Sequence, residues 1–510
     1  MARILAYTSP ARGHLYPIVP ILQELRGRGH EIALRTLTSQ VELASGLGFD
    51  ASSIDPAIEH IEHHDYLARS PIGAEKLAVR VFCERAPHDA RDLRGAVVAS
   101  DPDLVLVDVN AWGALAAAEA WGGPWAAFCP YPLPLPSRDA PPFGPGLPPA
   151  HGPLGRVRDA LLRPIVVGSL DRIIRPKVNE VLQRIGVRPL SSAMEMYAVP
   201  PLLLYLTAEP FEYHRSDWPP NVRLVGACDW DQPSDPPGWL DDIAEPIVLV
   251  TTSSEFQDDG RLVRCALEAF AGRDVHVVAT VPSMDLAKFG APSNAHVLPF
   301  TPHAPVLARA ACAITHGGMG ATQKALAHGV PVCAVPFGRD QFEVARRVEV
   351  VGAGARLPAK RLRPDLLRER VRRAMRLRDG ARRVPRATGL PAGPGPPPTS
   401  WRRSWAQMSC AGSAGRRPRV VRTPALEEPQ LLAEEIHAFF RPLQTAFDCC
   451  VGRDRPGGRA DQPIFRVPAG ATTAKPRPEA KGSYTVRVVR RAGLEPATRC
   501  LEAIRAGTLC

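Results

Sequence analysis

Short apolar runs alternate with amphipathic stretches along the first part of the chain. The runs RILAYTS (3–9), EIALRTL (31–37), DLVLVDV (103–109) and PWAAFC (124–129) are separated by segments whose apolar residues fall three and four apart. A second array holds IVLVTTS (247–253), VHVVATV (275–281), HVLPF (296–300), ACAITH (311–316) and VPVCAVPF (330–337), with RLVRCALEAFAG, APVLARA and GATQKALAHG as helix candidates. Continuous apolar runs bounded by turns predict strands buried on both faces, hence parallel sheets with helices on each side.

The intervening segments have other patterns. From Cys129, CPYPLPLPSRDAPPFGPGLPPAHGP carries too much proline for regular structure, and helical spacing returns over 154–187. DWDQPSDPPGWLDD (229–242) has the Pro, Asp and Gly content of an exposed linker. The expected architecture is α/β: two doubly wound parallel-sheet domains, 1–228 and 243–380, joined by 229–242. Ligands of such sheets bind beyond the carboxyl ends of the strands, so a cleft between the domains is the expected site. GLGFD (46–50) reads as a helix C-terminus leading into a further strand.

Near Asp379 the periodicity stops. Residues 381–510 carry 16 of the 55 prolines and hold 22 Lys and Arg against 10 Asp and Glu, a net of +12 that exceeds the whole chain's +11. The first 380 residues are therefore close to neutral. The basic excess lies in a segment without the interleaved aromatics of a nucleic-acid stacking surface, so a nucleic-acid partner is not expected. PQLLAEEIHAFF (429–440) is the one helix-like fragment there; the rest reads as disorder. RRAGLEPATRCLE (490–502) resembles translated sequence never selected as protein, which points to a frameshift or misread stop. The eleven cysteines form no C-x-x-C and read as reduced thiols. With no apolar run of membrane-spanning length and no secretory signal pattern, a cytoplasmic location is expected.

The chemistry concentrates in HGGMGATQKALAHGVPVCAVPFGRDQ (316–341). A strand ending at AITH brings His316 to the carboxyl edge of the second sheet. Gly317, Gly318 and Gly320 make a tight turn, and a helix beginning near Gly320 points free N–H groups at a ligand, which makes an anion site. With His316 as a further donor, a diphosphate fits better than one carboxylate. The spacing is neither G-x-G-x-x-G nor a P-loop. A strand–turn–helix whose glycines only permit close packing has the same pattern.

This stretch, preceded by FTPHAPVLARA (300–310), resembles the donor-nucleotide motif of the UDP-glycosyltransferase-like family, the GT-B glycosyltransferases that act on small natural products. ARGHLYP (11–17) is similar to the family's acceptor-side motif, and VTTSSE (250–255) stands where the family has a Ser/Gly phosphate loop. The resemblance covers residues 2–380 and is closest to the actinobacterial macrolide- and glycolipid-type enzymes. It implies that His316, Gly318 and the backbone at Gly320 and Ala321 hold the diphosphate. Phe300 would stack on the base and His303 flank it. Asp340 and Gln341 would bind donor-sugar hydroxyls, with Thr252 and Ser253 approaching the diphosphate from the other side. Lys324 departs from the pattern: relatives using UDP-sugars often carry there a Glu that holds the ribose diol. Lysine has no acceptor, which weighs against UDP and leaves dTDP open.

The resemblance makes His14 the catalytic histidine; alone it reads as a helix-cap or surface histidine. Asp108, at the end of LVLVD, has its carboxylate at the same sheet edge. Together they suggest Ser-His-Asp logic with an acceptor hydroxyl in place of the serine. The expected enzyme is an inverting glycosyltransferase. It would need a nucleotide-sugar co-substrate, no cofactor and no obligatory metal. Its acceptor would be an apolar hydroxylated small molecule or lipid, with peripheral membrane contact left open. HIEHHD (60–65) is not expected to be a metal site, because adjacent imidazoles rarely converge on one ion. DWD (229–231) matches the metal-binding D-x-D of another glycosyltransferase fold but lies in the linker and reads as chance. The rivals are an epimerase of the same two-domain fold and a nucleotide-sugar-binding protein impaired by an altered C-terminus.

Overall fold

The computed structural model describes residues 1–150, 152–227 and 229–388. The first sheet has seven strands: β1 (Arg3–Tyr7), β2 (Glu31–Thr36), β3 (Asp50–Ser53), β4 (Leu104–Asp108), β5 (Trp125–Cys129), β6 (Leu203–Tyr205) and β7 (Val222–Leu224). They lie in the order β3-β2-β1-β4-β5-β6-β7. The second sheet comprises β8 (Ile247–Thr251), β9 (His276–Thr280), β10 (Ala295–Leu298), β11 (Ala310–Thr315), β12 (Val332–Ala334) and β13 (Gly354–Arg356), ordered β10-β9-β8-β11-β12-β13. Every strand pairing in both sheets is parallel.

Each predicted apolar run forms a strand, trimmed at its ends, and β3 follows GLGFD as expected. β4, β5, β8, β9 and β11 are buried along their whole length, because helices cover both faces. This is why their sequences are continuously apolar rather than alternating. β6, β7 and β13 are new: at three residues each they are too short to register as a pattern. The helical spacing over 154–187 forms two helices, Gly152–Ile173 and Arg175–Ile185.

In both sheets the strand order reverses direction at one point, between β1 and β4 and between β8 and β11. Chain leaving adjacent strands there diverges to opposite faces and opens a crevice. His14 and Asp108 lie at the first point, Thr252 and His316 at the second.

The boundary expected at residue 380 needs correction. A helix runs from Arg378 to Thr388, and its Ala381 and Val384 are buried in the core. At Gly380 an added Cβ would stand 1.9 Å from the carbonyl oxygen of Gly352, so the helix packs backbone to backbone there. Three arginines and a proline in ARRVPRAT hide the two buried positions from a sequence reading. The predicted disordered tail and the fragment 429–440 otherwise lie outside the described residues. No helix among the described residues is long and apolar enough to cross a membrane. Cys83, Cys129, Cys265, Cys312 and Cys333 are free thiols, as expected.

Candidate active site

β1 ends at Tyr7, and the short helix Arg12–Leu15 that follows carries His14. Asp108, the last residue of β4, is fully buried. His14 Nδ1 lies 2.8 Å from Asp108 Oδ2. The same oxygen accepts from the Ser9 N–H (3.1 Å) and hydroxyl (2.6 Å), and the Asn110 N–H donates to Oδ1 at 2.9 Å. Burial disfavours a charge on Asp108, but His14 and these hydrogen bonds outweigh it and hold the carboxyl below the ordinary carboxylate range. Burial likewise opposes the His14 imidazolium; Asp108, through charge and hydrogen bond, outweighs it and raises the His14 pKa.

Asn110 completes the arrangement. Its Oδ1 accepts from the Tyr131 hydroxyl at 2.9 Å, which turns Nδ2 toward His14 Nε2 at 3.4 Å. Asp108, held ionised, can only accept, so the ring proton sits on Nδ1 facing it and Nε2 keeps its lone pair. This is the tautomer of a general base. Neither Asn110 nor Tyr131 was among the expected residues; Asn110, two positions past the predicted acid, was the available signal.

Across the cleft, β11 delivers His316 one residue beyond its end, and the helix Met319–Ala327 starts with Gly318 as its N-cap. Gly317 turns with φ +90°, and an added Cβ at Gly318 would lie 2.4 Å from His316 Nε2. The two glycines thus allow the imidazole to fold back over the helix N-terminus. His316 Nδ1, Thr251 Oγ1 and Asp259 Oδ1 are buried with no hydrogen-bond partner among the described residues. Orphaned buried polar atoms are costly, and of these residues His316 and Thr251 line the cleft. Burial keeps the His316 pKa below the ordinary histidine value despite Asp259.

Gly318, Gly320, Ala321, Phe300, His303 and Asp340 all line the same cleft. Phe300 is 40% exposed and lines the cleft. His303 Nε2 meets Thr280 Oγ1 at 3.2 Å, and burial, with Lys324 beside it, drives its pKa down to about 4. Burial raises the Asp340 pKa. Three expected donor ligands already have partners within the chain. The Thr252 hydroxyl donates to Thr280 O at 3.0 Å. Ser253 Oγ accepts from Glu255 N and Gln257 Nε2. Gln341, 2% exposed, accepts from the Phe337 and Gly338 N–H groups and donates to Gln257 Oε1 at 2.6 Å. These side chains build the wall of the site. The family resemblance implied their position at the site but not which way their polar groups turn.

Arg339, directly before Asp340, was also missed. It adopts φ +51° and spans the cleft, donating to both Asp65 carboxylate oxygens (2.9 and 2.8 Å) and to Glu255 Oε2 at 2.7 Å. The histidines of HIEHHD diverge: His60 bonds the Pro56 carbonyl, His63 packs edge-on against Phe82 and His64 against Tyr66.

The cleft has a volume of about 1110 Å³ and contains both His14 and His316. On the His14 side the lining includes the apolar and aromatic Phe82, Trp112, Phe143 and Met196, together with the charged Asp65, Glu75 and Arg85.

Comparison with known proteins bears on the family and the fold. The family model for the C-terminal domain of erythromycin biosynthesis protein CIII-like proteins matches residues 264–391. That match also runs past residue 380, in line with the helix ending at Thr388. The chain is 34% identical over 387 residues to 4'-demethylrebeccamycin synthase of Lentzea aerocolonigenes, covering 73% of this chain and 91% of the relative. The solved structure of the calicheamicin glycosyltransferase CalG4 is similar in fold, with a TM-score of 0.59 at 21% identity, over 86% of this chain and 98% of that one. The glycosyltransferase VinC, solved in complex with dTDP, gives a TM-score of 0.54 at 22% identity, over 75% and 94% of the two chains. The chain belongs to the family 1 glycosyltransferases, and it is a glycosyltransferase of GT-B architecture whose relatives use nucleotide-sugars to glycosylate natural products.

Proposed function

We propose that the protein transfers a sugar, with inversion, from a UDP- or dTDP-sugar to a hydroxyl of an apolar small molecule or lipid. One observation carries the reading: a His–Asp pair in base-competent geometry and a glycine turn opening a helix line one cleft from opposite domains. In this reading His14 Nε2 takes the acceptor proton as its oxygen attacks the anomeric carbon. Asp108 holds the imidazolium that forms. The C1–O bond to the diphosphate breaks on the opposite face, and the departing charge meets the helix N-terminus and His316. Phe300 offers the base a stacking face, and Asp340 is placed for donor-sugar hydroxyls. The aromatic wall beside His14 supports an apolar acceptor. The relative with 34% identity is named 4'-demethylrebeccamycin synthase, which is consistent with a natural-product acceptor.

The test is an assay of the protein with UDP- and dTDP-sugars against apolar hydroxylated acceptors, with the anomeric configuration of the product read by NMR. Inversion is expected. A retained configuration rejects the mechanism, and C2 epimerisation of the donor without transfer favours the epimerase. His316→Ala should weaken UDP or dTDP binding by roughly 1–3 kcal/mol, the worth of a hydrogen bond to a charged group, measured by calorimetry. Activity should survive EDTA. Loss on chelation, restored by Mg²⁺ or Mn²⁺, would count against charge stabilisation by the protein alone.

A further inference from the structure

The segment Asp229–Trp230–Asp231 is not idle linker. Lys324 Nζ, from the helix behind the glycine turn, donates to Asp231 Oδ1 (2.5 Å) and the Trp230 carbonyl (2.5 Å), and lies 3.4 Å from Asp229 Oδ1. Asp231 Oδ2 accepts the Ala304 N–H at 2.7 Å, at the start of the helix His303–Arg309. The Trp230 ring packs edge-on against Tyr16 at 5.0 Å, close in sequence to His14. The segment is thereby held between the two domains, and all three of its residues line the cleft.

Position along the helix gives this cluster its meaning. Lys324 stands five residues after Met319, about 7.5 Å along the axis from the helix N-terminus at 1.5 Å per residue. A nucleoside diphosphate whose phosphates sit at that N-terminus places its pentose at about this distance, between the phosphates and a base on Phe300. The three N–H donors of Lys324 face the three oxygens just named, so the ammonium is engaged within the chain. Asp231 is not saturated: a carboxylate has about four acceptor positions, and two are used. Burial opposes its charge, but Lys324 outweighs it and holds the carboxyl below the ordinary range, so it is an anion at neutral pH.

We infer that Asp231 is the group that binds the pentose hydroxyls of the nucleotide, with Lys324 as the residue that positions it. This rests on the nucleotide-donor reading above and adds to it a residue that discriminates by pentose hydroxyl.

The test is calorimetric binding of dTDP and 2′,3′-dideoxythymidine diphosphate, which differ only in the 3′-hydroxyl. The wild-type protein should prefer dTDP by roughly 10- to 100-fold, the worth of a hydrogen bond to a charged group. Asp231→Asn should collapse that ratio toward unity while leaving affinity for the dideoxy compound nearly unchanged. His316→Ala should weaken both ligands and keep the ratio. A ratio undiminished in a folded Asp231→Asn protein overturns the inference. So does a wild-type protein that binds the two compounds equally, which decides the matter even if the variant fails to fold. A wild-type protein that binds no nucleoside diphosphate at all removes the donor reading, and this inference with it; binding without discrimination removes the inference alone.

Discussion

Replacing His14 with alanine should lower turnover by roughly 10²–10⁴, the usual worth of a positioned general base, with little change in nucleotide affinity. The separation is expected because His14 and the glycine turn belong to different domains and share no hydrogen bond. Asp108→Asn should also slow turnover, because it leaves the imidazolium without a counter-charge. The two variants differ in pH behaviour. In the native protein Asp108 raises the His14 pKa above the ordinary 6.5, so the neutral base is lost as pH falls through a value above 6.5. The acid limb of kcat/KM should therefore lie on the alkaline side of 6.5. With Asp108 neutralised, burial is the main remaining influence and it lowers the pKa, so the limb should move to lower pH. For stability the sign is opposite: a raised histidine pKa contributes stabilisation that is present below pH 6.5 and fades as pH rises through the folded value. Near-native turnover of His14→Ala on a working acceptor, or an acid limb unmoved by Asp108→Asn, would remove His14 as the base.

The main architecture was legible because both sheets are buried on two faces. Leu104–Asp108 and Ile247–Thr251 are continuously apolar for that reason, and a period-free run of that length between amphipathic stretches has few other readings. Asp108 and His316 could be placed from the strand ends, whereas His14, on the helix after β1, was picked out by the family resemblance. Side-chain partnership was less legible. Gln341 follows Asp340 directly, yet its amide turns inward to the Phe337 and Gly338 N–H groups. Asp229–Asp231 resembled linker because its partner, Lys324, lies more than ninety residues away. Asn110 and Tyr131 meet His14 only because β4 and β5 are adjacent. Local periodicity carries no information about such long-range pairs. It also failed at Arg378–Thr388, where Gly380, Ala381 and Val384 are buried among arginines.

Glu212→Gln should cost about 3–5 kcal/mol, the usual penalty for breaking a buried ion pair by removing one partner. Arg347, in the helix Gln341–Val350 of the second domain, is 1% exposed. It donates to both Glu212 oxygens, at 2.9 and 3.0 Å, and to Glu343 Oε2 at 3.0 Å. Glu212 comes from the first domain, where Arg215 lies 3.4 Å away and the Tyr205 hydroxyl also donates to it. The Tyr213 ring covers the guanidinium at 4.3 Å. Two cations and two carboxylates thus balance in a nearly dry interdomain contact, and an amide at 212 leaves one positive charge uncompensated. Glu343 extends the effect to the active site: it accepts the Gly144 and Gly146 N–H groups at 2.8 and 3.0 Å and ties the proline-rich segment beside the acceptor wall to the second domain. The variant should lower the midpoint of the first denaturant transition. It should also reduce kcat, because the domains that carry His14 and His316 lose a fixed separation. In a double-mutant cycle, Glu212→Ala combined with Arg347→Ala should cost well under the sum of the two single changes, since both remove the same bidentate pair and together leave the remaining charges, Arg215 and Glu343, balanced. Additive costs, or a loss below 1 kcal/mol for Glu212→Gln, would mean that water reaches this contact and that the domains are held together elsewhere.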